Sequence, residues 1–351
     1  MAVPALLRAL LTAPGPSGFE AAPAAVWREA ASAFATVSGD TLGSSVARVD
    51  GAGDGPPLAI VGHIDEIGLI VRHIDDDGFL YVAGVGGWDP QILVGQRVEL
   101  ITRDGHVPGV LGRKPIHLLE PDDRKKVVKL DDLHVDIGAR DGEEARARVR
   151  IGDVAVIAGE PVELPNGRLA SRSLDNRLGA YVAAEAARLV AEAGGAPGPV
   201  VAVAAVQEEI TFAGSRTSAF ALEPRVAIVV DVTHATDAPG VEEKRLGKHP
   251  FGSGPVIDRG PIINPRVFEL LHTTAEAEGI PCTVAASASA THTDADAIHL
   301  SRAGVPTGVV SIPLRYMHSP VEMVALEDVE AAARLIAAFA ERLVPAVSFD
   351  R

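Results

Sequence analysis

Side chains that can bind a divalent metal ion follow five apolar segments of the sequence. Each segment has the character of a strand and is followed within a few residues by a histidine or a carboxylate. The five combinations are Leu58–Val61 with His63, Arg168–Ser173 with Asp175, Val200–Val206 with Glu208 and Glu209, Val226–Val230 with Asp231, and Thr307–Ile312 with His318. Because ligands of open α/β sheets bind outside the carboxyl ends of the strands, these side chains are expected to converge.

This set of donors suits a pair of metal ions. Two histidines and several carboxylates are typical ligands of Zn²⁺, and Co²⁺ or Mn²⁺ would accept the same groups. A carboxylate can bridge two ions held about 3.5–4 Å apart, and such a pair can share a water, lower its pKa and polarise a scissile carbonyl. The chemistry indicated is metal-dependent hydrolysis.

Two carboxylates in this set are adjacent, and a third lies close to the first histidine. The side chains of Glu208 and Glu209 are expected to point in different directions. One can therefore bind an ion while the other acts as general base, taking the proton of the water and passing it to the leaving amine. Asp65, two residues after His63, is expected on the same side of the strand, where it would orient the imidazole.

Composition excludes several partners. The formal net charge of −15 disfavours nucleic acid and anionic membrane surfaces, because both require a basic surface to neutralise phosphate. The single cysteine, Cys282, rules out an internal disulfide framework and is expected to be a small buried apolar residue. Arg8 interrupts the apolar N-terminal stretch, and no segment approaches the ~20 apolar residues of a membrane helix. A soluble, cytoplasmic protein is expected.

The spacing of apolar residues predicts two domains. Residues 1–65 and 164–351 alternate strands with helices, at 21–35, 176–193, 265–278 and 326–343. This pattern indicates an α/β domain with a mostly parallel sheet and helices on both faces. Residues 66–163 contain short alternating segments and Asp-Gly pairs at 77, 104 and 141, typical of hairpins in a small inserted β-barrel-like domain. Residues 236–265, rich in Pro and Gly, are expected to form a long loop.

Six motifs occur in order along nearly the whole chain. They are Ala-Pro-Gly-Pro-Ser-Gly-Phe-Glu at 13–20, Gly-His-Ile-Asp-Glu-Ile-Gly at 62–68, Ser-Leu-Asp-Asn-Arg at 173–177, Val-Gln-Glu-Glu at 206–209, Asp-Val-Thr-His-Ala at 231–235 and Arg-Tyr-Met-His-Ser-Pro-Val-Glu-Met at 315–323. This set resembles the tetrahedral (TET) and glutamyl aminopeptidases among the co-catalytic dizinc metallopeptidases.

The resemblance implies a phosphorylase/hydrolase-like fold for the catalytic domain, roles for the candidate residues, and an assembly. Asp175 would bridge two metal ions, His63 and Asp231 would complete one site, Glu209 and His318 the other, and Glu208 would be the general base. Residues 66–163 would form a dimerisation domain, and dimers would assemble into a hollow dodecamer that admits peptides. The sequence departs from the family pattern at Gly62, where Ala is expected, and at Ile210-Thr211, where Val-Gly is commoner. These departures bear on specificity more than on activity.

The sequence leaves three functions open. The first is removal of N-terminal residues from oligopeptides with a free N-terminus, by a metal-bridging water that Glu208 activates. The second is deacylation of N-acyl amino acids, or carboxypeptidase action, which requires a cation for the substrate carboxylate; Arg315 is the nearest candidate. The third is a non-catalytic assembly or carbohydrate-binding protein, for which an aromatic content of 4% gives few stacking platforms. The roles of His117 and His292 stay unassigned, as does the preferred N-terminal residue.

Overall fold

The computed structural model describes residues 2–350. The strands are β1 (Thr36–Gly39), β2 (Ser45–Val49), β3 (Leu58–His63), β4 (Gly68–Ile74), β5 (Leu80–Val85), β6 (Arg97–Thr102), β7 (Gly105–Gly112), β8 (His134–Asp136), β9 (Val154–Ile157), β10 (Val162–Leu164), β11 (Arg168–Ser171), β12 (Val200–Ala205), β13 (Val226–His234), β14 (Val256–Arg259), β15 (Thr283–Ala286), β16 (Thr307–Arg315) and β17 (Glu322–Ala325). The helices are α1 (Ala5–Thr12), α2 (Ala21–Ala31), α3 (Pro90–Leu93), α4 (Gly142–Arg148), α5 (Leu174–Glu192), α6 (Glu208–Thr211), α7 (Ala213–Leu222), α8 (Glu243–Leu246), α9 (Pro265–Glu278), α10 (Ala295–Ile298) and α11 (Leu326–Glu341). Short 3₁₀ turns cover Ile116–Leu118, Asp123–Lys125 and Leu130–Asp132.

The main sheet has a parallel centre and antiparallel edges. Its strand order is β1-β2-β12-β3-β13-β16-β17-β11-β10, and β14 and β15 extend from β16. The four central strands β12, β3, β13 and β16 run parallel to one another. All residues of β3 and β12 are buried, as expected for parallel strands covered on both faces. The predicted α/β class with a mostly parallel sheet is confirmed.

Two groups of helices cover this sheet. Helix α5 packs on β3, β12 and β13 and against α11, whereas α7 packs on β3 and β12 and against α10. Helix α5 approaches β3 closely, because a Cβ atom added to Gly62 would lie 2.1 Å from the backbone carbon of Gly179. Glycine at both positions therefore sets the distance between the sheet and the start of α5.

The inserted segment forms a closed antiparallel barrel. Its strand order is β4-β5-β8-β7-β6-β9, and its buried side chains form a cluster separate from the core of the main sheet. Gly78 and Gly105, with φ of +93° and +121°, lie in the turns of two hairpins. The predicted barrel-like insertion is confirmed. The expected third hairpin is wrong, because Asp141 instead caps α4 by accepting the backbone N–H of Glu144.

The stretch 236–265 contains more regular structure than expected. It includes α8 and β14, and β14 pairs with both β15 and β16. The many Pro and Gly residues there punctuate short elements, so the prediction of one long loop is wrong. Within residues 2–350, no helix is both long and apolar enough to cross a bilayer.

Candidate metal centre

The carboxyl ends of the strands bring the predicted ligands together. His63 is the last residue of β3, and Asp231 lies within β13. Glu208 and Glu209 begin α6, which follows the end of β12 after two intervening residues. His318 follows β16. Asp175 follows β11, which points the same way as β16 because each is antiparallel to β17. All five strands therefore end at one edge of the sheet.

The two carboxylate oxygens of Asp175 face different histidines. Its Oδ1 lies 3.3 Å from Nε2 of His63, and its Oδ2 lies 3.4 Å from Nε2 of His318. The same Nε2 of His318 is 3.3 Å from Oε1 of Glu209. Oε2 of Glu208 is 3.7 Å from Nε2 of His63. Asp175 thus lies between two sets of donors.

The donor atoms form two overlapping groups that could each hold a cation. His63, Asp175 and Glu209 form one, and His63, Glu208 and Asp231 form the other, with the ligand atoms of each group within 4.8 Å of one another. This grouping places Glu208, which the resemblance implies to be a base, among the atoms near His63. His, Asp and Glu donors at this spacing match the ligand preferences of Zn²⁺ and related ions.

The electrostatics of the site also fit a bound cation. Burial raises the pKa of Glu208 to about 10, and the negative charges of Asp231, Asp294 and Glu209 add to this effect. The charge of His63 acts in the opposite direction but is outweighed. Burial raises the pKa of Asp231 well above its usual value. Buried carboxylates this close together are costly unless a positive charge lies among them. The residues therefore fit a divalent metal centre.

The two histidines respond to the same carboxylates. Hydrogen bonds to Asp175 and Glu209 raise the pKa of His318 to about 11. Burial lowers the pKa of His63, but Glu208, Asp175 and Asp65 outweigh burial and raise it well above 6.5. Burial opposes ionisation of Asp175, yet His318 and His63 hold the pKa of that carboxyl far below its usual range. Without a metal ion, the surrounding carboxylates therefore favour the protonated form of both imidazoles.

Asp65 is buried and anchors the turn that carries the two glutamates. Its Oδ1 accepts the backbone N–H of Glu208 at 3.1 Å, and its Oδ2 accepts that of Glu209 at 3.2 Å. The hydroxyl of Ser17 also donates to Oδ2. Oδ1 lies 3.4 Å from Nδ1 of His63. Asp65 thus contacts the predicted ligand on β3 and the backbone of both glutamates.

Glu322 has a positioning role that sequence reasoning missed. It is 2% exposed, its Oε2 accepts the backbone N–H of Asp175 at 3.0 Å, and its Oε1 accepts that of His318 at 2.8 Å. Glu322 begins β17, which runs antiparallel to β16, so it is the start of this strand that lies at the site. A search limited to residues that follow strands overlooks such a position, although Glu322 lies within the quoted motif at 315–323.

The N-terminal motif supports the site from outside. Glu66 accepts the backbone N–H of Gly15 at 3.0 Å and a guanidinium N–H of Arg177 at 3.1 Å, and it also pairs with Arg172. Glu20 accepts the backbone N–H of Gln207 at 3.1 Å. These contacts tie residues 15–20 to the strand end after β3 and to the turn after β12. Sequence reasoning gave Glu20, Glu66 and Arg177 no role, although all lie within the quoted motifs.

The remaining candidates do not belong to the two ligand groups. The guanidinium of Arg315 is paired with Asp237, at 3.1 Å (Nε to Oδ1) and 2.6 Å (Nη2 to Oδ2), and lies 4.2 Å from the centre of the Phe251 ring. His117 and His292 are exposed. His117 lies in the short turn Ile116–Leu118 of the inserted segment.

Solved structures that share this architecture include aminopeptidases. A TET aminopeptidase from a marine sediment archaeon, a Thaumarchaeota archaeon, aligns with a TM-score of 0.92 and 36% identity over 97% of this chain and 96% of that one. A TET1 peptidase of Pyrococcus horikoshii, which can assemble into a tetrahedron or a large octahedral shell, aligns with a TM-score of 0.85 and 31% identity over 96% of this chain and 99% of that one.

Sequence comparison agrees with the structural comparison. The lysyl aminopeptidase of Pyrococcus furiosus is 39% identical over 308 residues, which cover 87% of each chain. The model of the M42 glutamyl aminopeptidase family matches residues 43–335. The chain belongs to the M42 family, and the predicted family resemblance is confirmed. Its class of activity is that of the aminopeptidases, which are hydrolases.

Proposed function

We propose that this chain removes N-terminal residues from oligopeptides with the help of two divalent metal ions. The observation that carries this proposal is the geometry of Asp175, whose two carboxylate oxygens lie 3.3 Å and 3.4 Å from different histidines. A carboxylate in this position is suited to bridge two ions. Zn²⁺ is the ion we propose first, and Co²⁺ or Mn²⁺ would accept the same donors.

The proposed ligands divide between the two ions. His63 and Asp231 would hold one ion, Glu209 and His318 would hold the other, and Asp175 would contact both. When bound, the ions would lower the pKa of a water and polarise the scissile carbonyl. Asp65 and Glu322 would hold the ligands in place, because each accepts backbone N–H groups from ligand-bearing turns.

Glu208 is the proposed general base. Its carboxylate lies beside His63, its side chain is only 10% exposed, and its backbone is fixed by Asp65. With the two ions bound, their positive charge would lower the raised pKa of this carboxyl and leave it ionised, as a general base requires. It would take the proton of the attacking water and pass it to the amine of the departing peptide.

The pairing of Arg315 favours a substrate recognised by its free N-terminus over one recognised by its carboxylate. Deacylation or carboxypeptidase action would instead require a cation for the substrate carboxylate, and the candidate Arg315 is already paired with Asp237. This pairing argues against the second function. The full set of ligands together with Glu208 argues against a non-catalytic binding protein.

We also propose how the chain is organised and assembled. Residues 1–65 and 164–351 would form the catalytic domain, and residues 66–163 would form the domain through which two copies pair. Dimers would assemble into a dodecamer, as a cytoplasmic homo-oligomer. The Pyrococcus horikoshii relative, which can assemble into a tetrahedron or a large octahedral shell, supports this proposal. Size-exclusion chromatography with light scattering tests it, and a stable monomer would contradict it.

The activity is tested with a panel of peptides that have free or acetylated N-termini. The protein is assayed after chelation and after Zn²⁺ or Co²⁺ is added back. Free N-termini alone should be cleaved, and Glu208→Gln should lower kcat by roughly 10²- to 10⁴-fold, the usual contribution of a general base. Glu143→Gln, at an exposed position on α4, is the matched control. Cleavage of acetylated peptides would instead favour the deacylase, and full activity of Glu208→Gln would refute the proposed base.

A further inference from the structure

A loop of the barrel reaches the metal centre. It comprises Gly86, Gly87 and Trp88 and follows β5. The carbonyl oxygen of Gly87 lies 2.9 Å from Nδ1 of His318, at hydrogen-bond distance. The other ring nitrogen of His318, Nε2, faces Asp175 and Glu209. The two nitrogens of one imidazole therefore face different parts of the chain.

The conformation of this loop is fixed from two sides. The indole N–H of Trp88 donates to the carbonyl oxygen of Gly68 at 2.8 Å, which ties the loop to the start of β4. Gly86 has a φ of +77°, and a Cβ atom added there would lie 2.6 Å from Cγ2 of Ile67 and 3.4 Å from Cβ of Glu209. Glycine at position 86 thus allows both the left-handed backbone and the close approach to Ile67.

We propose that the loop 86–88 positions His318 for metal binding. The Gly87 carbonyl accepts the Nδ1–H of His318, which fixes the ring orientation and leaves Nε2 to face the ion. A hydrogen bond to the second ring nitrogen of a ligating histidine commonly sets its tautomer and orientation. The inference rests on the proposed function, since it assumes that His318 binds a divalent ion. It makes occupancy of that site depend on how the barrel sits against the main sheet.

The test substitutes Gly86→Ala in the full-length protein. The added methyl group should displace the loop and the Gly87 carbonyl. Gly138→Ala is the matched control, because Gly138 lies in the same inserted segment with a φ of +72° and a Cβ there would meet no atom within 4 Å. Zn²⁺ binding is measured on metal-depleted protein by competition with a chromophoric chelator. Gly86→Ala should weaken the binding of one of two ions roughly 10- to 100-fold, as outer-shell changes do, while Gly138→Ala should bind as the wild type does.

A double-mutant cycle shows whether the effect passes through His318. In a His318→Ala background, Gly86→Ala should weaken binding no further, because the positioned group is gone. An undiminished effect in that background would mean that the loop acts through Glu209 and would overturn the proposal. Trp88→Phe is a second variant in case Gly86→Ala does not fold. It keeps an aromatic ring but loses the hydrogen bond to Gly68, so it should lower the affinity for the same ion to a smaller degree.

The outcomes separate this inference from the proposed function. If the wild type binds no Zn²⁺, both proposals are overturned. If the wild type binds two ions and Gly86→Ala binds both with unchanged affinity, only the role of the loop is overturned. If Gly86→Ala lowers the affinity for one of the two ions and Gly138→Ala does not, the result supports the proposed role of the loop.

Discussion

Asp65→Asn tests how the site is held together. The two oxygens of Asp65 accept the backbone N–H groups of Glu208 and Glu209 at 3.1 and 3.2 Å. Asparagine has one oxygen, so its NH₂ group must face one of these N–H donors in either orientation. At least one of the two N–H groups loses its acceptor. Because the lost hydrogen bond was made to a charged group, the cost is about 1.5–3 kcal/mol.

That cost falls on the turn that carries Glu208 and Glu209. At about 1.4 kcal/mol per tenfold, it corresponds to a loss of roughly ten- to a hundredfold in kcat/KM. The assay is hydrolysis of the preferred aminoacyl 4-nitroanilide with saturating metal, together with thermal unfolding to establish that the variant folds. Asp141→Asn is the control, since Asp141 is itself exposed and caps α4, and Asn caps equally well. A folded Asp65→Asn protein with activity within about twofold of wild type would refute the reasoning, since the loss predicted from one hydrogen bond to a charged acceptor is larger.

Two further predictions concern packing and pH. Gly62→Ala should lower the thermal unfolding temperature, because its Cβ would lie 2.1 Å from the backbone of Gly179 and overpacking costs about 1–3 kcal/mol or more. Gly159→Ala is the control and should leave that temperature unchanged, because a Cβ there meets no atom within 4 Å. Equal unfolding temperatures of the two variants would contradict the packing argument. Zn²⁺ affinity should rise with pH, because the raised pKa values of His63 and His318 leave protons on both rings that a metal ion must displace. Calorimetric titrations in buffers of different ionisation enthalpy should detect proton release, and binding without any release would contradict this.

The convergence of the predicted ligands follows from the sequence because parallel strands end at one edge. A buried strand with a polar residue at its end is recognisable one strand at a time, as at His63 and Asp231. Helix α9 was also predictable, since Asn264 caps its first turn and Gly279 ends it with a φ of +62°. Local signals of this kind need no knowledge of the rest of the fold.

The remaining features depend on how distant segments meet. Glu322 reaches the site because β17 runs antiparallel to its neighbours. The direction of β17 in the sheet cannot be predicted from its residue types. Gly87 contributes a backbone carbonyl, which every residue type carries, so the sequence does not reveal this contact. Asp141-Gly142 carries a hairpin signal, yet the residues after it favour a helix, which Asp141 caps. In each case tertiary pairing or a competing local preference decided the outcome.

The position of Glu322 and His318 has a consequence during protein synthesis. Both residues lie late in the chain, and Glu322 fixes the backbone of Asp175 as well as that of His318. A nascent chain that has not yet reached His318 lacks one of the proposed ligands and the anchor of another. Under the proposed assignment, a chain synthesised only as far as residue 317 would hold neither a complete metal centre nor the carboxylate that fixes Asp175.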